Sequence, residues 1–201
     1  MPGQGEEMRK VVAQSVMISA LTVCLGSQSL AQHWSKKPFD ATYDVQSAAG
    51  KNTLRMVTDG QGHMRNEMTT ASGKVITITD IPNKVMYSVM ESQHMVMKMP
   101  YQDAPNITDE QSAKAVNAKS LGAKVIDGHP CHGWQTTQKD STTESWTGDD
   151  IGCVVVSTTK APGYTTGMKL VKYSPAKPSP SDFVVPSGYK VMSMPGAAVV
   201  R

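Results

Sequence analysis

The chain has 201 residues and sets 20 lysines and arginines against 17 aspartates and glutamates, a formal charge of only +3. The lysines are scattered rather than clustered, which argues against nucleic acid or an acidic membrane surface as a partner. With 2 phenylalanines against 14 methionines, the apolar interior has to be built from Val, Ile, Leu and Met.

Residues 1–31 read as a cleavable secretory signal peptide. Met8-Arg9-Lys10 supplies a positive end and Val11 to Gly26 an apolar run. Ser29-Leu30-Ala31 places small residues at the cleavage positions, making Gln32 the expected start of the exported chain. Glu6 and Glu7 oppose the usual positive bias, so Met8 is the better start. Val23 is too large to precede a lipidated cysteine at Cys24, and the run is shorter than the roughly 20 residues of a spanning helix. The expectation is a periplasmic protein that does not span the membrane after cleavage, with residues 32–38 as a linker and 39–201 as one domain.

From Phe39 the pattern is one of β-strands. Phe39 to Val45 alternates, and Ala49-Gly50-Lys51-Asn52 reads as a turn. Strands are predicted over Thr53–Thr58, His63–Thr70, Val75–Thr79, Val85–Met90 and His94–Met99, with turn residues between them. Thr108-Asp109-Glu110-Gln111 then has the form of a capped helix start. A helix of about three turns through Lys119, ending near Gly122, is predicted. Strands resume at Lys124–Asp127, Cys131–Gln138, Thr142–Trp146, Cys153–Thr159 and Met168–Tyr173, with turns at Asp127-Gly128 and Lys139-Asp140. Lys177 to Ser181 is an extended, proline-stiffened link. The fold class is mainly β with minor α: a single curved antiparallel sheet. One short helix covers little of a wide apolar face, so part of that face is expected to remain a groove.

Beyond the leader, Cys131 and Cys153 are the two remaining cysteines. In an oxidising compartment an intramolecular disulfide is the default, and closing this loop would stabilise by roughly 3 kcal/mol.

Several short stretches carry a family resemblance together: Phe39-Asp-Ala-Thr-Tyr43, Lys84-Val-Met-Tyr87, Met95-Val-Met-Lys-Met-Pro100, Ile126-Asp-Gly-His-Pro-Cys131, Thr143-Glu-Ser-Trp146 and Phe183-Val-Val-Pro-Ser-Gly-Tyr189. They resemble an exported bacterial family, the domain of unknown function numbered forty-four-twelve. That family resembles periplasmic lipoprotein carriers of the Lol type. The resemblance implies a half-barrel whose concave side is plugged by helix, and it carries over no catalytic residues.

The sharpest chemical feature is a methionine hairpin. Side chains alternate along a strand, so Met95, Met97 and Met99 share one side, and Met86 and Met90 share a side of the neighbouring strand. Met64, Met68, Met192 and Met194 are further candidates for the same surface. Three readings follow: core filling, an adaptable groove for lipid or lipoprotein acyl chains, or a Cu(I) site of Met95, Met97 and Met99 with His94 or His63. Alternation turns His94 away from the three methionines, which favours core or groove.

Other motifs carry less. His129 and His132 beside Cys131 lack the second ligand pair of a zinc site. Asp149-Asp150 lacks the acidic spacing of a calcium loop. Trp134 and Trp146 read as a cross-strand pair. No nucleophile elbow, phosphate loop or dinucleotide fingerprint occurs. The sequence therefore predicts a non-enzymatic periplasmic binding protein without a cofactor, holding a lipid or acyl chain on Met86, Met90, Met95, Met97 and Met99. A Cu(I)-binding protein and an envelope protein–protein interaction module are the alternatives.

Overall fold

Short turns between alternating strands generate both halves of the architecture. In the computed structural model, residues 35–48, 50–70, 73–101, 113, 114, 116–175 and 177–193 are described. The leader with its cleavage site and Cys24, the helix start at Thr108–Gln111, and Met194 lie outside them. Among the described residues, twelve strands form one sheet. They are β1 (Phe39–Ser47), β2 (Gly50–Thr58), β3 (His63–Thr70), β4 (Gly73–Asp80), β5 (Val85–Met90), β6 (Met95–Pro100), β7 (Lys119–Ile126), β8 (His129–Gln138), β9 (Ser141–Gly148), β10 (Val154–Ala161), β11 (Tyr164–Ser174) and β12 (Lys190–Ser193). The Asp127-Gly128 turn shows how a hairpin is made here. Ile126 faces His129, and the two residues between them take φ of 50° and 85°, the left-handed backbone that a tight hairpin requires.

The strand order is β12-β6-β5-β4-β3-β2-β1-β11-β10-β9-β8-β7. Two meanders, β1–β6 and β7–β11, are thus joined at a single seam, where β1 pairs antiparallel with β11. The sheet is open and curved, as the sequence predicts. β12 is the exception to antiparallel pairing and runs parallel to β6.

Two elements differ from expectation. The helix does not run through Lys119. Ala113 and Lys114 have helical backbone, and the turn closes at Asn117, whose φ of 52° is left-handed. Ala118 N–H donates to Ala113 O at 2.8 Å and Asn117 N–H to Lys114 O at 3.1 Å, a paired closure that ends helices. Lys119 and Ser120 instead open β7, opposite Gln135 and Trp134, because the free edge of β8 offers a ladder that outweighs local helix propensity. The second difference is β12, a strand with no counterpart in the sequence reading. All four of its residues are exposed, and its ladder partner lies far away in the chain.

Residue 175 and residues 177–189, between β11 and β12, act as a strap across one face. A 3-10 turn (Pro180–Phe183) is closed by a capping box between Ser179 and Asp182, and it lies against β3. Phe183 meets His63 at 5.9 Å between ring centroids. Val185 and Tyr189 then pack on Ile76, Ile78, Val89 and Val96. A second, larger core gathers Phe39, Ala41, Tyr43, Val45, Leu54, Val155, Met168, Ile151, Cys131 and Cys153.

Close packing is sharpest at Gly133 on β8, opposite Trp146 on β9. A Cβ on Gly133 would meet three carbons of the indole ring at 2.7 Å. Lys124 Nζ covers the same indole, 3.7 Å from the ring centroid. Gly133→Ala is expected to lower unfolding stability by about 1–3 kcal/mol, the range of core overpacking, and to alter tryptophan fluorescence. Urea melts followed at the tryptophan band check this, and an unchanged midpoint would contradict the contact.

Candidate functional site

Register decides which side chains share a face. Directly opposed residues in a ladder point the same way, and three rows can be followed across the first meander. One runs Leu54, Met68, Val75, Met90, Met95. The next runs Met56, Asn66, Thr77, Ser88, Met97, and β12 adds Met192 opposite Met97. The third runs Thr58, Met64, Thr79, Met86, Met99. Met86, Met90, Met95, Met97 and Met99 therefore lie on one face, joined there by Met56, Met64, Met68 and Met192. Met90 and Met64 are buried, Met86, Met95, Met97 and Met99 are half-buried, and Met192 is exposed. This methionine face continues into the larger core through Leu54 and Met56, which oppose Tyr43 and Ala41.

The other face is of a different kind. Arg55 grips Asp40 with two nitrogens, Nη2 reaching Oδ2 at 2.7 Å, and Glu67 receives Arg65 at 2.6 Å and Lys74 at 3.0 Å. Arg65 Nη1 also donates to the strap at Asp182 O, 3.2 Å away. Burial alone would raise the Glu67 carboxyl, but the hydrogen bonds from Arg65 and Lys74 outweigh it and hold it below the usual glutamate range. The strap and this ion-pair ribbon share the face opposite the methionines.

His94 does not join the methionines. It has a left-handed backbone, φ 48°, at the turn into β6. Its ring stacks on Tyr189 of the strap at 5.4 Å and 21°. His63 is likewise held elsewhere, its Nδ1 2.6 Å from Asp59 Oδ2. Among the described residues no three His, Cys, Asp or Glu side chains converge as a metal site would require.

The expected disulfide is corrected by the structure, in which Cys131 and Cys153 are both free and buried. Both belong to the larger core, where they fill space as small apolar groups, a role that cysteine count and compartment do not foretell. Burial pushes the Cys153 thiol up to about 11, against a lowering contribution from its hydrogen bond with Tyr43. A thiol raised in this way is a poor nucleophile at neutral pH. The histidines beside Cys131 are engaged by the Asp149-Asp150 turn, a pairing that the sequence reading missed. His129 Nδ1 lies 2.7 Å from Asp150 Oδ2, and His132 Nδ1 lies 2.9 Å from Asp149 Oδ1. Lys37 Nζ ties the same turn from the N-terminal side, donating to the carbonyl oxygens of Asp149 and Asp150 at 3.2 and 2.8 Å.

These features define an open, curved antiparallel sheet with one strapped, ion-paired face and one methionine face. The chain belongs to the family of the domain of unknown function DUF4412, whose profile matches residues 38–156. No curated protein matches. Solved structures share the fold at low identity. An uncharacterized conserved protein from Thermus thermophilus is similar at 11% identity and a TM-score of 0.60, over 83% of this chain and 93% of that one. The MucB chain of the Pseudomonas aeruginosa MucA/MucB complex is similar at 13% identity and a TM-score of 0.52, over 83% of this chain and 62% of that one. Among the described residues no helix is long and apolar enough to cross a membrane.

Two measurements check the site's chemistry. A carboxyl held below its ordinary value in the folded chain adds stability that is present above the unfolded value, about 4.3 for Glu, and is lost as pH falls through the folded one. Thermal unfolding should therefore show a midpoint that drops below about pH 4.3, and Glu67→Gln should lower the neutral-pH midpoint while flattening that acid limb. Iodoacetamide should leave Cys131 and Cys153 unmodified in the native chain and label both after unfolding without reductant. Failure to label after unfolding would reveal a disulfide.

Proposed function

We propose that this protein is a non-enzymatic binding protein of the bacterial envelope, exported by its leader, and that it holds a lipid or acyl chain against the methionine face. One observation carries the reading. The register aligns thioethers across β3, β5, β6 and β12 on one face, while the strap and the ion pairs occupy the opposite one. Methionine is unbranched and polarizable, so a half-buried methionine surface can re-pack around chains of different shape. Acyl chains demand that adaptability, whereas a filled core does not need half-exposed thioethers. The copper reading draws no support from His94, which is stacked on the strap side.

Native mass spectrometry of the gently purified protein tests this directly. Lipid-sized mass additions are expected, and a copper-sized increment or a bare chain would count against the reading. Met97→Asp should weaken retention at least 10-fold, because a charge would have to be desolvated against the ligand. Replacing Met95, Met97 and Met99 with Leu should leave lipid retention within about threefold, since apolar character and volume survive. Retention by Met97→Asp equal to that of the unaltered chain would remove this face from consideration.

A further inference from the structure

We propose that the methionine face selects chains bearing a hydrogen-bond donor, an amide N–H or a hydroxyl, over chains joined by a plain ester. The inference deepens the apolar-ligand reading above and rests on it.

Buried side-chain oxygens normally find partners, because an unpaired one forfeits its hydration for nothing. Three buried side-chain atoms of the described residues have none: Asn66 Oδ1, Ser88 Oγ and Ser157 Oγ. The ladders put all three on one face. Asn66 opposes Met56, Ser88 opposes Met97, and Ser157 opposes Met168, which itself opposes Val45 of the larger core. On the opposite face the charged groups Asp40, Arg55, Arg65 and Glu67 are all paired with one another. These charged side chains are thus paired on the strapped face, while Asn66 Oδ1, Ser88 Oγ and Ser157 Oγ are left over on the methionine face.

Two of the three stand in one row. Asn66 on β3 and Ser88 on β5 flank Thr77 on β4, two strand spacings or about 9–10 Å apart. Asn66 is 8% exposed and Ser88 0%, and strand alternation turns Ser88 to the same side as its neighbours Met86 and Met90. Asn66 Oδ1 and Ser88 Oγ find no hydrogen-bond partner in the sheet, so the pair calls for a polar counterpart. Their chemistry narrows what that counterpart is. A serine hydroxyl donates or accepts, so an ester carbonyl would satisfy Ser88. Asn66 Oδ1 only accepts, and an ester has no proton to give it. An amide or a hydroxyl within the apolar chain does.

The test uses the full chain, purified and delipidated, and three probes of equal chain length: methyl myristate, N-methylmyristamide and methyl β-hydroxymyristate. One or both of the donor-bearing probes should bind about 10-fold tighter than methyl myristate, the factor that a single buried hydrogen bond confers. Whichever binds tighter identifies the donor as amide or hydroxyl. Asn66→Leu should abolish the preference while leaving methyl myristate binding in place. Equal binding of all three by the unaltered chain would overturn the inference, with water serving the row, and would leave the apolar-ligand reading standing. A preference that survives Asn66→Leu would also overturn it. Binding of none of the three would overturn the apolar-ligand reading itself. Should Asn66→Leu fail to fold, the comparison in the unaltered chain decides alone.

Discussion

A slip of one residue between β5 and β6 would turn Met95, Met97 and Met99 to the strapped side and bring Val96 and Lys98 to the other. The strict period of two in a strand makes register the constraint on which everything else here depends. Register holds because each face rewards it differently. On one side Ile76, Val89 and Val96 must meet the strap residues Val185 and Tyr189. Opposite them, Met90 faces Met95 and Met86 faces Met99. A slipped ladder would turn Lys98 into the half-buried methionine rows and take Val96 away from the strap, so both faces oppose the same error.

The asymmetry between the faces extends to their electrostatics. Charges on the strapped side neutralise one another: Asp40 against Arg55, and Glu67 among Arg65, Lys74 and Arg55. These partly exposed pairs contribute little individually. Across β1–β4 these groups nevertheless pair with one another, and the strap backbone at Asp182 takes up another donor from Arg65. The methionine side carries no comparable ribbon among the described residues. Its polar side chains in the first meander are hydroxyls and amides, and its thioethers are soft and polarizable.

Much of this was legible in the sequence, and for definite reasons. The strands of both meanders follow from alternation interrupted by Asp127-Gly128, Lys139-Asp140 and similar turns, which are local signals. The shared side of Met95, Met97 and Met99, and that of Met86 and Met90, follow from period two, while the β5–β6 register brings the two sets onto one face. What escaped is non-local. β12 finds its ladder on a strand formed far earlier in the chain, and nothing in Lys190-Val-Met-Ser193 announces a parallel partner. Lys119 and Ser120 became strand because β8 was there to receive them. The contacts of His129 and His132 with the Asp149-Asp150 turn depend on the β8–β9 pairing, which brings that turn beside them. The free thiols likewise reflect a core that closes around Cys131 and Cys153, a fact of packing with no trace in their spacing.

The seam between β1 and β11 has a kinetic meaning. β1 is the first strand among the described residues and pairs on its second side with β11, whose residues run to Ser174. The first meander can zip from its own hairpins as it emerges, but β1 keeps one row of unpaired amides and carbonyls until β11 is present. Contacts so far apart in sequence make for slow folding, and an unpaired strand edge is a template for association with other chains. The joining of the two halves across this seam is the step that contact order predicts to be slow. Tyr43 and Val45 meet Leu170 and Met168 across that seam, so the larger core is completed only as the last long strand arrives.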